Sequence, residues 1–238
     1  RLGVRLTGCP LWHSQCGEIR VPTGLTVTRG RGEDGKFSVS TEVEHRIERH
    51  SHTISRRACI RACHQSLRRF GLPSKRASLL ISIHPNSSIN VKGVCGILER
   101  WRHEKDFVPD VIVIDYADIL APEDPKKEAR HQVNDTWKAL RRLSQETHSL
   151  VIVPTQADAD SYDAKIQSMK NFSEDKRKLS HVTGMVGLNQ TADEKVQGIM
   201  RLNWLVLREA EFLASRCLYV AQCIPLARAF CHATYERT

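Results

Sequence analysis

A chain of 238 residues with 40% hydrophobic content suits one domain, or one domain with an appendage, and is long enough to bury a core. It contains no apolar run of about eighteen residues, so no transmembrane helix is expected. No secretory signal opens it, and its eight scattered cysteines are not needed as a disulfide framework, so a cytoplasmic setting is expected. The net charge of +9 favours an anionic partner, either nucleic acid or nucleotide.

Arg1 in place of Met fits a fragment or a processed product. Residues 1–36 are rich in Gly, Thr, Arg and Cys and show poor periodicity. A short strand fits Leu25 to Thr28, but residues 1–34 are expected to be the least ordered or least well packed part of the chain. Phe37 to Thr41 reads as a strand entered through a turn at Gly35-Lys36. From Glu44 to about Arg69 the pattern becomes helical and basic; residues 46–76 hold nine Arg or Lys against one acid, Glu48. Cys59, Cys63 and His64 have no second cysteine pair at zinc spacing, so the thiols read as small core residues.

Beyond Gly71-Leu72-Pro73 the elements alternate. Leu79 to Ile83 is an expected strand, stopped by His84-Pro85-Asn86. Ile89 to Lys105 is an expected helix capped by Asn86, Ser87 or Ser88. Val111 to Ile114 is a β-branched run expected to be buried on both sheet faces. Glu128 to Thr147 is an expected helix with Val133, Trp137 and Leu140 on one side, and Leu150 to Val153 is the next strand. Arg201 to Leu207 and Cys217 to Ala221 are expected to pair at a sheet edge. Ser173 to Lys178 is expected to be an exposed loop. Strands alternating with helices imply an α/β fold with a mostly parallel sheet and a C-terminal antiparallel pair. The expected division is an atypical segment at 1–35, a core at 36–224 and a tail at 225–238.

The sharpest local pattern is Val111-Ile112-Val113-Ile114-Asp115-Tyr116. An acid at the carboxyl end of such a strand lies where open α/β sheets bind ligands. There it holds Mg²⁺ against phosphates, or it merely caps the following turn; the residues alone leave both open. The next apolar strand ends at Pro154-Thr155-Gln156, bringing Thr155 and Gln156 to the same edge. The Gln156 amide suits a γ-phosphate sensor or, more plainly, a partner for loop backbone.

IDYADIL followed by a helix and then VIVPTQADADSYD resembles the RecA-fold motor of DnaB-type replicative helicases, phage versions above all. FSVSTEVEHRI resembles that family's strand ending in Ser-x-Glu, and the region from Lys178 to Leu207 its loop and Gln-bearing turn, with Gln190 in the turn. The resemblance covers roughly residues 36–223. It implies a three-layer RecA-like core that couples ATP and Mg²⁺ to unwinding of DNA during replication. It implies Glu42 as the carboxylate that polarises water, Asp115 as the Mg²⁺ ligand through water, and Thr155 and Gln156 facing the nucleotide. Lys176, Arg177 and Lys178 become candidates for single-stranded DNA contact, with a solvated turn the plain alternative. A neighbouring subunit of a hexameric ring would supply a basic finger, for which Arg208, Arg216 and Arg228 are candidates, although none sits in the family's Lys-x-Arg pattern.

The sequence departs from that family at the phosphate loop. No G-x-x-x-x-G-K-[ST] occurs, and that motif supplies the backbone amides and lysine that hold a triphosphate. The nearest text, Gly30 to Ser38, has both glycines and Lys36, but it puts Phe37 where a hydroxyl is needed and lies only six residues before Glu42. Two further classes therefore stand beside the motor: a non-catalytic DNA-binding or oligomerising protein of the same fold, and a recombinase-like or clock-type ATPase. A missing strand and helix would also leave the central strands uncovered on one side.

Overall fold

The computed structural model describes residues 9–10, 12–31, 37–69, 79–156, 166, 168 and 176–236; for Cys63, residues 66–69, Lys176 and Arg177 it describes the backbone alone. In chain order the elements are strands β1 (Gly17–Arg31) and β2 (Phe37–His50), helices α1 (Arg56–Arg69) and α2 (Val91–Lys105), strand β3 (Val111–Val113), helix α3 (Ala129–Thr147), strand β4 (Leu150–Ile152), helix α4 (Lys176–His181), strand β5 (Gly184–Asn189), helix α5 (Ala192–Gln197), and strands β6 (Ile199–Leu207), β7 (Leu218–Cys223) and β8 (Arg228–Tyr235). The chain packs as two units. One comprises Arg1–Gly71, Ala164–Ser168 and Val186–Thr238; the other comprises Leu72–Asp163 and Met169–Met185. It therefore does not divide at the expected boundaries of 35/36 and 224/225.

The second unit holds the parallel pair. β3 and β4 run side by side in register, Val111 opposite Leu150, Ile112 opposite Val151 and Val113 opposite Ile152. Two further backbone bonds extend the pairing: Leu150 N–H donates to the Asp110 carbonyl at 2.9 Å and Ile114 N–H to the Ile152 carbonyl at 3.1 Å. Parallel strands need a crossover, and α3 provides it. Trp137, Leu140 and Leu143 are buried along one side of α3, at helical spacing, against Ile112 and Val91. Burying each such side chain contributes about 1.5–3 kcal/mol.

α2 begins at Asn90, not at the earlier polar residues: the Asn90 side chain accepts from Gly93 N–H, and the Glu123 carboxylate accepts from Val91 N–H at 2.9 Å. A carboxylate at that end also meets the positive end of the helix dipole. The strand expected at 79–83 forms no ladder, and Leu79, Ile81 and Ile83 are exposed. The expectation that the 111–114 strand is buried on both faces is also corrected. Ile112 is 7% exposed but Val111 and Val113 are 49% and 64% exposed, because α2 and α3 cover only one face.

The first unit is antiparallel. β1 and β2 form a long hairpin in which Gly17 lies opposite His50 and Arg31 opposite Phe37. The helix expected from Glu44 thus gives way to strand as far as His50, because every residue up to there has a partner on β1; helix starts only at Arg56. Residues 17–31, expected to be poorly packed, instead contribute buried Ile19, Val21 and Val27. These pack against Cys223 and Leu226, and against Ile199, Cys217 and Tyr219. β6 and β7 pair antiparallel as expected, but they lie inside a sheet of order β5-β6-β7-β8, and the expected tail is its strand β8. Among the described residues the sheets are therefore small and mostly antiparallel, with β3–β4 the parallel exception.

α5 is closed at its start by a capping box between Thr191 and Glu194, and at its end by Gly198 at φ +73°. A Cβ at Gly198 would lie 2.8 Å from the Gln222 carbonyl oxygen. Gly198→Ala is expected to destabilise the first unit by about 1–2 kcal/mol, from the left-handed backbone and the clash together. Urea unfolding monitored by circular dichroism checks this; an unchanged midpoint would mean the turn relaxes freely.

Candidate functional site

The carboxyl ends of β3 and β4 gather most of the polar residues singled out from the sequence. Val113 and Ile152 are opposite each other, so Asp115 and the Thr155-Gln156 pair leave adjacent parallel strands at the same edge. After β3 the chain enters a 3-10 turn at Ala117–Ile119, in which Ala117 is buried and Asp118 faces outward from the core. After β4 it continues through Pro154, which cannot donate to a ladder and so ends the strand.

Four side chains meet at this edge. The Lys178 ammonium lies 2.8 Å from Asp118 Oδ1 and 3.1 Å from Thr155 Oγ1, and the Thr155 hydroxyl donates to Asp118 Oδ2 at 2.8 Å. Lys178 Nζ also sits 6.0 Å from the centroid of the Trp137 ring, at the reach of a cation–π contact. The ion pair is only 13% exposed on the lysine side and 24% on the aspartate side, so water screens it weakly. Two contacts hold α4, which carries Lys178, against α3: His181 Nε2 lies 2.9 Å from Asn134 Oδ1, and Arg141 Nη1 donates to the His181 carbonyl at 3.1 Å.

Lys178 is thus engaged inside the second unit and is not a residue of a freely solvated turn; α4 replaces the end of the expected loop at 173–178. The side chains of Lys176 and Arg177 lie outside the described residues. Asp118 and Trp137 were not singled out as site residues from the sequence. The available signal was the spacing in IDYADIL: an acid three residues after Asp115 falls one turn further along the same edge.

The other candidates lie elsewhere. Glu42 is exposed on β2 opposite Thr26, in the antiparallel hairpin of the first unit. The expectation that Phe37 to Thr41 joins the sheet of Asp115 is therefore not met, since β2 is fully occupied by pairing with β1. Lys36 and its neighbours at 32–36 lie outside the described residues. Gln190 donates to the Ile199 carbonyl at 2.6 Å, closing the turn before β6. Arg228 binds Glu48 through two nitrogens, at 3.2 and 3.5 Å. The bonds from Arg46 and Arg228 hold the Glu48 carboxyl below the usual carboxylate range. Arg216 stacks over the Tyr235 ring at 4.5 Å, and Arg208 is exposed just after β6.

The edge suits a hydrated divalent cation. Asp115 is exposed and its carboxylate makes no hydrogen bond or ion pair among the described residues. Mg²⁺ commonly takes one such carboxylate and fills its shell with water and phosphate oxygens. Gln156 is likewise exposed at the same end, with both amide functions available for a ligand.

No protein-family model and no curated protein matches the chain. A solved ATPase domain of a DnaB-like helicase superposes with a TM-score of 0.52 at 12% identity, over 63% of this chain and 52% of that one. The fold is RecA-like. A DnaB-like replicative helicase described with its interactions with primase aligns at a TM-score of 0.49 and 13% identity, over 56% of this chain and 32% of that one. The RecA-like likeness is one of fold, and the chain spans about half the length of the solved ATPase domain. No described helix is long and apolar enough to cross a membrane.

The Asp118–Lys178 pair should be energetically coupled. In a double-mutant cycle of Asp118→Asn and Lys178→Met, a coupling of about 1–2 kcal/mol is expected, above a surface pair and below a fully buried one. Urea unfolding of the four proteins measures it, and a coupling near zero would mean the pair is only a crystal-like proximity without energetic weight.

Proposed function

We propose that this chain carries the Mg²⁺- and γ-phosphate-facing edge of an ATP-driven DNA helicase motor of the DnaB-like replicative kind. The observation that carries this is the exit of Asp115 and of Thr155-Gln156 from neighbouring parallel strands at one edge. Support at the level of fold comes from the similarity to a helicase ATPase domain.

On this proposal Asp115 holds Mg²⁺ through water, and the bound ion neutralises charge on the phosphates. Gln156 donates to an oxygen of the γ-phosphate and accepts from the attacking water, whose oxygen bonds to phosphorus as the bond to the bridging oxygen breaks. Thr155 and Lys178 shape the floor of the edge: Asp118 holds the lysine back, so its charge reaches a phosphate only in part. Single-stranded DNA is the proposed polymer partner, in keeping with the +9 charge, and a ring of copies is the proposed assembly. Arg208, exposed at the end of β6, is then the best placed of the three finger candidates.

Turnover by this chain is proposed to be very slow or absent. With no G-x-x-x-x-G-K-[ST] in the sequence, convergent backbone amides for the triphosphate are lacking, and such positioning supplies most of phosphoryl-transfer catalysis. That same observation favours a second reading, a RecA-fold protein that binds DNA and does not hydrolyse ATP. Mg²⁺-dependent phosphate release, with and without single-stranded DNA, separates them from an active motor. A rate at background, unchanged by Asp115→Ala, is expected. Robust turnover abolished by Asp115→Ala would show that a phosphate site exists after all, with the segment from Gly30 to Ser38 the first place to look.

A further inference from the structure

The antiparallel sheet of the first unit presents an aromatic cavity that the nucleotide edge does not use. Register places Leu202 of β6 opposite Leu218 of β7, and Leu218 opposite Tyr235 of β8, so the three form one row across the sheet. Trp204, two residues along β6 from Leu202, shares that face. The segment between β6 and β7 adds Phe212, Leu213 and Arg216, and together these residues border a cavity of about 580 Å³. Such a volume is ordinary for a small-ligand site.

The chemistry of the walls narrows the occupant. Trp204, Leu213 and Tyr235 are 40%, 71% and 47% exposed, so large apolar surfaces stay in contact with water. The Arg216 guanidinium, 4.5 Å from the Tyr235 centroid, is fixed by stacking while its N–H groups remain able to reach an anion. Flat apolar walls beside a held cation suit a planar ring that carries one negative charge nearby. Glu211, also at the cavity, disfavours a compact polyphosphate. An unpaired base followed by its phosphodiester meets both conditions, and base–aromatic stacking tolerates any base.

We propose that this cavity takes one unpaired base of a single-stranded nucleic acid, stacked in the Trp204–Tyr235 cleft with its phosphate on Arg216. The proposal rests on the single-stranded DNA reading above, and adds a stacking site in the first unit to it. The occupied cavity anchors the strand by stacking, whereas the rest of a basic surface holds it by charge alone. Binding here therefore loses less affinity with rising salt than phosphate contacts alone would.

The test uses the full chain and a labelled fifteen-nucleotide oligothymidylate. Anisotropy of the label reports binding anywhere, and tryptophan emission, compared between the native chain and Trp204→Phe, reports the cavity. The expected result is quenching that saturates with the anisotropy curve and disappears in Trp204→Phe. Tyr235→Leu, and separately Leu213→Glu on the exposed segment, should each weaken binding roughly tenfold or more, as loss of one stacked base does. Circular dichroism confirms that the variants fold, and Leu213→Glu lies outside the sheet, so one variant remains informative if the other unfolds. Binding by anisotropy without Trp204-dependent quenching would overturn the cavity while leaving the DNA reading intact. Absence of binding at low salt would overturn both. Trp204 emission that responds to protein concentration rather than to DNA would assign the cavity to a protein contact and overturn the proposal.

Discussion

Two parallel strands cannot be joined by a tight turn; the chain must leave one, cross a face of the sheet and return to start the other at the same end. In the second unit that crossover is α3, and its buried side, Trp137, Leu140 and Leu143, is what holds the two strands in place. Once β3 and β4 are parallel and in register, their carboxyl ends coincide, and whatever residues follow them become neighbours. The proximity of Asp115, Asp118, Thr155 and Gln156 is thus a consequence of topology before it is a matter of chemistry. Lys178 joins them because α4 is tied to α3 through His181.

The same pair has an uncovered side. Val111, Val113, Leu150 and Ile152 point away from α2 and α3 and remain between 46% and 64% exposed. Parallel sheets are ordinarily covered on both faces, because β-branched side chains there gain little from water. The apolar pattern of these strands matches a buried setting better than the one-sided cover that they have among the described residues. An uncovered central pair is the expectation drawn from the lack of a phosphate-loop strand and helix in the sequence.

Much of this edge was legible from residue order alone. A β-branched run ending in Asp115, an amphipathic α3 and a second apolar run ending in Thr155-Gln156 fix strand, crossover and strand, because periodicity and length leave few alternatives. What was not legible depended on partners distant in sequence. Residues 44–50 look helical locally, but lie opposite Gly17 to Gly24 in a ladder, and long-range pairing overrides local preference. Glu42 went with them, since its assignment required β2 to join a different sheet. Lys178 and Arg228 look like surface cations in sequence; only folding reveals Asp118 and Glu48 beside them. Asn90 illustrates a finer limit: four polar residues in a row could each start α2, and the Glu123 carboxylate that helps select Asn90 lies thirty-two residues from Val91.

The parallel pairing of β3 and β4 is the claim on which the site depends, and it can be observed directly. Couplings transmitted through hydrogen bonds, measured by nuclear magnetic resonance on deuterated protein, should connect the Ile114 amide nitrogen to the Ile152 carbonyl carbon and the Leu150 amide nitrogen to the Asp110 carbonyl carbon. Detection of both establishes the register that brings Asp115 and Gln156 to one edge. Couplings that instead join these strands in antiparallel order, or that join each to a different partner, would contradict it and remove the basis for a nucleotide-facing edge.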